Sequence, residues 1–102
     1  MRTLQGRWKN KDDDYNNLVN ELESAFENLP HEGRTVGEVY IEAINNHRDI
    51  EIVNIIHNGV YILRYRPEAR PDIDITVWFG RTEEGIQIGE YNEEARRVLA
   101  LA

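Results

Sequence analysis

The chain has 102 residues, with 19 acidic and 12 basic side chains, a net charge of −7 and a hydrophobic share of 40%. This length allows one domain with a single core and is too short for two. The sequence has no cysteine, which excludes disulfides and thiolate catalysis, and no apolar run approaches the roughly 20 residues of a membrane helix. The basic N-terminus lacks the apolar stretch of a signal peptide, so we expect a cytoplasmic protein, of a cell or of an infected host.

Charge is unevenly distributed along the chain. Residues 1–11 carry four basic side chains and no acid, and we expect them to form a basic N-terminal arm ahead of a single domain, residues 12–102. Residues 12–58 carry eleven acids against Arg34 and Arg48, a net charge of −9. Such an acidic field repels nucleic acid and attracts basic proteins. The alternative is that these charges only keep the protein soluble.

Two helices are predicted in the first half of the chain. Apolar residues from Tyr15 to Leu29 follow helical spacing, with acids ahead of them and Pro30 behind them. Residues 35–38 have the sequence Thr-Val-Gly-Glu, which fits a capping box and predicts a second helix over residues 36–47.

A calcium-binding loop is the alternative for the start of the first helix. Asp12, Asp14 and Asn16, followed by Glu23, match part of that pattern. However, Asn17 stands where the loop requires glycine, and the apolar residues keep helical spacing through the supposed loop. We therefore favour acids that cap a helix, and we predict no metal and no other cofactor.

A β-hairpin is predicted over residues 49–66, because Asn58 and Gly59 separate two apolar runs and suit a two-residue turn. With that turn, one face of the hairpin belongs to the core and the other is a mixed face of aliphatic and charged residues. The predicted core side is Ile50, Ile52, Ile56, Tyr61, Leu63 and Tyr65. The mixed face carries Val53, Ile55, Val60 and Ile62 among Glu51, His57, Arg64 and Arg66.

Two further strands and a last helix complete the predicted fold. Residues 72–79 alternate between apolar and polar, residues 86–91 form a fourth strand, and Asn92 caps a helix over residues 93–102. The order ααββββα predicts an α+β two-layer sandwich. In it, a four-stranded antiparallel meander carries helices packed on one face.

The sequence offers little catalytic chemistry. The three histidines lie apart in the predicted elements, and the only serine, Ser24, lies inside a helix. Glu38 and Glu42 share one helical face, so a small enzyme that uses paired carboxylates is the third functional hypothesis. The arginines and tyrosines of the hairpin point to opposite faces, which disfavours an RNA-binding sheet.

The mixed face and the acidic charge together support the leading functional hypothesis, which is binding to a protein partner. An apolar centre with a charged rim is typical of a protein interface, and we expect the helices to leave the mixed face open. The first hypothesis is a small, acidic, non-catalytic protein that inhibits or shields a basic protein partner, like immunity proteins, antitoxins or phage-encoded inhibitors. The alternative is a structural or homo-oligomeric module, such as a homodimer, that pairs through this face. The predicted partner-binding residues are Val53, Ile55, Val60, Ile62, Arg64, Arg66, Trp78, Glu23 and Glu27.

Overall fold

The structure is a computed structural model and describes residues 4–8, 13–56, 59–82 and 85–101. Its elements, in chain order, are β1 (Leu4–Arg7), α1 (Asp13–Asn28), α2 (Val36–Asn46), β2 (Ile50–Ile56), β3 (Val60–Tyr65), β4 (Ile75–Thr82), β5 (Gly85–Glu90) and α3 (Glu93–Leu101). Strands β2 to β5 form the predicted antiparallel meander. The α+β fold and the order ααββββα over these elements are confirmed.

Helix α1 runs without a break from Asp13 over the rest of the supposed calcium loop, whose first residue, Asp12, lies outside the described residues. Its first turn carries Asp13 and Asp14, which complement the positive end of the helix dipole. Leu18 and Leu22 are both 0% exposed, because apolar residues at helical spacing share the face that meets the sheet. The helical interpretation of residues 14–23 is therefore confirmed.

The caps of the other two helices are also as predicted. The Thr35 hydroxyl accepts the backbone N–H of Glu38 at 3.2 Å, which satisfies one free donor at the start of α2. The Asn92 side chain accepts the backbone N–H of Ala95 at 2.8 Å and does the same for α3. Both helices begin where local side-chain chemistry favours a start.

The strand order in the sheet is β1-β5-β4-β3-β2, so β1 and β2 are the two edges. Strand β1 pairs in parallel with β5, with Leu4 opposite Ile86, and Leu4 is 6% exposed in the core. Residues 4–7 are thus part of the sheet, and the prediction of an arm is wrong for them. A four-residue strand carries too few apolar positions to show a period. The rest of the predicted arm lies outside the described residues.

The core lies between the sheet and the helices α1 and α2, and we call this side of the sheet the helix face. Phe26 of α1 stacks on Tyr40 of α2 with ring centroids 4.2 Å apart, and Tyr40 meets Phe79 of β4 at 5.7 Å. These three aromatic rings connect both helices to the centre of the sheet. Aromatic pairs in this geometry add stability beyond the area that they bury.

The β2–β3 hairpin departs from the predicted register. Ile56 pairs with Val60, so three residues join the strands where a two-residue turn was predicted. Gly59 has a φ of 76°, a conformation that glycine adopts without strain, while residues 57–58 lie outside the described part. The register shifts again between Ile52 and Asn54, where an extra residue makes a bulge in β2.

The bulge decides which way the end of β2 faces. Side chains alternate along a strand, so one extra residue moves all later residues to the other face. Ile52 pairs with Leu63 and lies on the helix face as predicted. Beyond the bulge, Ile55 pairs with Tyr61 on the helix face, and Ile56 lies on the opposite, second face. The predicted facings of Ile55 and Ile56 are therefore both wrong.

Candidate functional site

The predicted sheet residues of the partner site do not form one open surface. Val53 and Ile55 are 46% and 61% exposed at the β2 edge, and Val60 and Trp78 are half-buried. Ile62 is only 2% exposed, because β3 is an inner strand and side chains of β2 and β4 flank it on the second face. The prediction that Ile62 lies on an open face is therefore wrong.

The two predicted glutamates of α1 have different environments. Glu27 is exposed, as predicted. Glu23 is 6% exposed, which contradicts the prediction that it lies on the outer side of the helix. Its neighbours at i−4 and i+3 are Val19 and Phe26, which belong to the buried flank of α1. Only Glu27 remains available to meet a partner.

The two predicted arginines belong to a set of ion pairs, which we call the arginine-paired end. The set consists of Arg48–Glu68, Arg64–Asp74, Arg66–Glu51 and Arg70–Asp72. The Arg64 guanidinium donates two hydrogen bonds to Asp74, at 2.8 and 2.6 Å, and thereby lowers the pKa of that carboxyl. Three of the pairs border an open pocket of about 1020 Å³. The lining also includes Asp49, so three arginines stand against four carboxylates and the pocket has a net charge of only −1 with which to select a ligand.

A partly buried polar cluster joins α1 to β3 and to the end of α2. Tyr65 is 0% exposed, and its hydroxyl donates to the Glu21 carboxylate and accepts from the Asn17 amide at 2.8 Å. His47 Nε2 lies 3.4 Å from the same carboxylate, while His47 Nδ1 accepts the Asp49 N–H at 3.1 Å. Burial and the Glu21 hydrogen bond raise the Tyr65 pKa. Since no substrate can reach a fully buried phenol, this cluster fastens helix to sheet.

The outer side of the two core helices is strongly acidic. Residues 13–46, which we call the helical layer, contain eight carboxylates and a single arginine. That arginine, Arg34, is bound to Glu42 at 2.9 Å. Glu27, Glu32 and Glu38 surround the connection between α1 and α2, are exposed, and form no ion pair with any cation of the described ranges. Among the residues that the structure describes, no cation therefore neutralises their charge.

A second pocket contains both tryptophans of the chain, and we call it the indole pocket. Its volume is about 400 Å³, and its lining is Trp8, Trp78, Glu90, Asn92, Glu94, Ala95, Val98 and Leu99. Trp8 follows β1, Trp78 lies on the second face of β4, and the remaining residues come from the end of β5 and from α3. Helix α3 thus forms one wall, while Trp8 reaches the pocket from the helix face, where it meets Tyr15, and Trp78 reaches it from the second face.

Two glycines leave the space that the two indole rings occupy. A Cβ atom at Gly89 would come within 2.6 Å of the Trp78 ring, and one at Gly6 within 2.8 Å of the Trp8 ring. The rings therefore lie against the backbone of β5 and β1, where any larger residue would displace them. The Trp8 ring also meets Tyr15 of α1, with ring centroids 4.6 Å apart.

The sequence predicted one residue of the indole pocket, Trp78, and missed the others. The pocket brings together β1, β4, β5 and α3, which are distant along the chain. A strand at residues 4–7 would have placed Trp8 at the sheet, but its pattern is too short to recognise. The spacing of Glu90 and Glu94 across a helix start also carries no recognisable motif.

Over the ranges that the structure describes, no group of three His, Asp or Glu side chains could hold a metal ion. In the same ranges, every helix is too short or too polar to cross a membrane. Comparison of the chain with protein-family models, with curated proteins and with solved structures returns no match. The site must therefore be interpreted from its own chemistry.

Proposed function

We propose that the chain is a small, non-catalytic binding protein that inhibits or shields a basic protein partner. The partner meets the helical layer, around the connection between α1 and α2. The observation that supports this most directly is the set of exposed carboxylates there, Glu27, Glu32 and Glu38, without neutralising cations among the described residues. Unpaired surface charge of one sign attracts a partner of the opposite sign and raises the rate of encounter.

The arrangement of charge favours recognition over solubility alone. Acids of the arginine-paired end, such as Glu68 and Asp74, lie beside arginines that neutralise them. Clustered like charges repel each other and slightly destabilise the folded state. An arriving basic surface relieves that repulsion, so the helical layer gains more from a partner than a neutral surface would.

Capture from a lysate of the source cells, with two matched double variants, tests this proposal. Glu27→Lys with Glu38→Lys reverses charge on the helical layer, and Glu51→Lys with Glu68→Lys makes the same change at the arginine-paired end. We expect the first variant to lose a basic protein that the second variant and the unmodified chain retain. Once that basic protein has been purified, the first variant should associate with it about tenfold more slowly at low salt than the unmodified chain does.

The control outcomes are distinct. If both double variants lose the captured protein equally, net charge alone explains binding and the helical layer has no special role. If the retained proteins are acidic, or if association is indifferent to salt, the proposal is wrong. Dissociation should change little in the first variant, because exposed charge pairs add only about 0.2 to 1 kcal/mol each.

A homo-oligomeric role is the second candidate, favoured by the exposed aliphatic residues of the β2 edge. Val53 and Ile55 are the apolar side chains that this edge presents, and an unpaired edge can accept a strand of a second copy. The bulge at Val53 opposes regular pairing, which is why this role ranks second. Light scattering of the pure protein decides it, since a dimer that Val53→Lys converts to a monomer would support it.

A further inference from the structure

We propose that the indole pocket binds a cationic side chain of the basic partner, and that arginine is the side chain it fits best. This inference rests on the proposed function, because it names the group by which that partner is held. It concerns the pocket between β1, β4 and α3 and not the acids around the α1–α2 connection. The two surfaces can therefore be tested separately.

The lining of the pocket matches the chemistry of a cation. Indole rings attract cations through the electron density of their faces, and carboxylates provide the opposite charge. Trp8 and Trp78 supply the rings, while Glu90 and Glu94 supply the carboxylates. A planar guanidinium stacks on an aromatic ring and donates two parallel hydrogen bonds to a carboxylate, so arginine suits this lining better than lysine.

The carboxylates of the pocket are available to a ligand. Within the part of the chain that the structure describes, neither Glu90 nor Glu94 forms an ion pair. Helix α3 does carry Arg96 and Arg97, but both are exposed. At 100° per residue Arg97 lies on the opposite side of α3 from the wall-forming Ala95 and Leu99, and Arg96 lies about 60° around the helix from Leu99. The pocket is thus acidic as well as aromatic.

The size and the position of the pocket fit one side chain of a docked protein. Its volume of about 400 Å³ lies at the lower end of the range of small-ligand sites, about 300 to 1,000 Å³. Trp8 contacts Tyr15 in the first turns of α1, so the pocket adjoins the helical layer. Tyr15 lies about 18 Å along α1 from Glu27, so a partner that also meets the α1–α2 connection spans that length to insert a cation here as an anchor, in the way that buried arginines anchor other interfaces.

Two small probes test the pocket without any partner. Acetyl-arginine amide carries the guanidinium, and acetyl-citrulline amide has nearly the same shape without the charge. The two indole N–H signals of a ¹⁵N spectrum report on the pocket, and Trp78→Leu assigns them. We expect the arginine probe to shift the Trp78 signal with saturation in the millimolar range, and the citrulline probe to bind about tenfold more weakly.

Variants locate the effect in this pocket. Glu94 is exposed on α3, so Glu94→Gln should keep the fold and weaken the arginine probe about fivefold by removing a carboxylate. Gly89→Ala displaces the Trp78 ring and should also weaken binding of the arginine probe. Gly80→Ala is the matched control, because its added methyl group meets only Val60, at 3.3 Å, and it should leave binding unchanged.

Three results would overturn the inference. They are an arginine probe that shifts neither indole signal, a citrulline probe that binds equally well, and a Glu94→Gln protein that binds as tightly as the unmodified chain. None of these affects the lysate experiment, which changes Glu27 and Glu38 and leaves the pocket intact. Conversely, probe binding together with a failed lysate experiment would leave a cation pocket without the proposed acidic docking surface.

Discussion

The helical layer and the arginine-paired end use the same residue types in opposite ways. Residues 13–46 contain eight carboxylates against one arginine, whereas residues 48–81 contain five of each. At the second region, four arginines each hold a carboxylate, and the charge is neutral within a few ångströms. At the first, exposed acids keep their charge, and their field reaches about 8 Å into physiological salt. Attraction to a charged partner therefore depends less on the net charge of a region than on the charges in it that have no neutralising neighbour.

Substitutions in different parts of the molecule should also differ in how much they lower the free energy of unfolding. The largest loss is expected in the core beneath the helical layer. Leu22 is 0% exposed, so Leu22→Ala should cost about 2 to 5 kcal/mol of unfolding free energy, from lost burial and from the cavity. Urea unfolding measures it. At the exposed β2 edge, Val53→Ala should change stability by no more than about 0.5 kcal/mol. Similar costs at both sites would mean that the helices contribute less to the core than their burial implies.

A medium effect is expected where the two regions meet, at Tyr65. Tyr65→Phe removes the hydroxyl that binds Glu21 and Asn17 and should cost about 1 kcal/mol, while Tyr61→Phe serves as the control. The folded protein raises the Tyr65 pKa, so the folded form keeps a proton that the unfolded chain releases above its ordinary value of 10.0. Stability from this group is complete below pH 10 and falls at higher pH. The Tyr65→Phe protein should lack that alkaline loss, and an equal loss in both proteins would contradict the prediction.

The smallest effect separates a paired acid from an unpaired one. Arg64 lowers the Asp74 pKa, so Asp74 stabilises the fold above its ordinary pKa of 3.8 and ceases to do so as the pH falls below it. Asp74→Asn should therefore lower the melting temperature slightly at pH 7, and by progressively less as the pH falls through the lowered pKa of Asp74. Glu27→Gln should leave it unchanged or raise it slightly at pH 7, because the change removes repulsion within the helical layer. Thermal unfolding of both variants would refute this distinction if the two shifts agreed in sign.

Local patterns predicted most of the elements. Helical spacing, the caps at Thr35 and Asn92 and the alternation of β3 and β4 are properties of short segments, and the structure agrees with them, except that β4 covers residues 75–82 and not the predicted 72–79. The residues predicted to bind a partner do not share one environment. Glu27, Val53 and Ile55 are exposed, but Ile62 and Glu23 are buried, since exposure depends on which elements lie beside a residue.

The sequence by itself determined the helix starts, the apolar stripes, the order ααββββα and the excess of acids, because each follows from residues close together in the chain. Only the tertiary structure decided the edge strand β1, the bulge that turns Ile55 to the helix face, and the placing of Trp8 and Trp78 beside one pocket. It also decided which acids are neutralised, since Arg64 and Asp74 pair across neighbouring strands. These features depend on contacts between distant segments, whose free energy is gained only when the whole sheet has assembled.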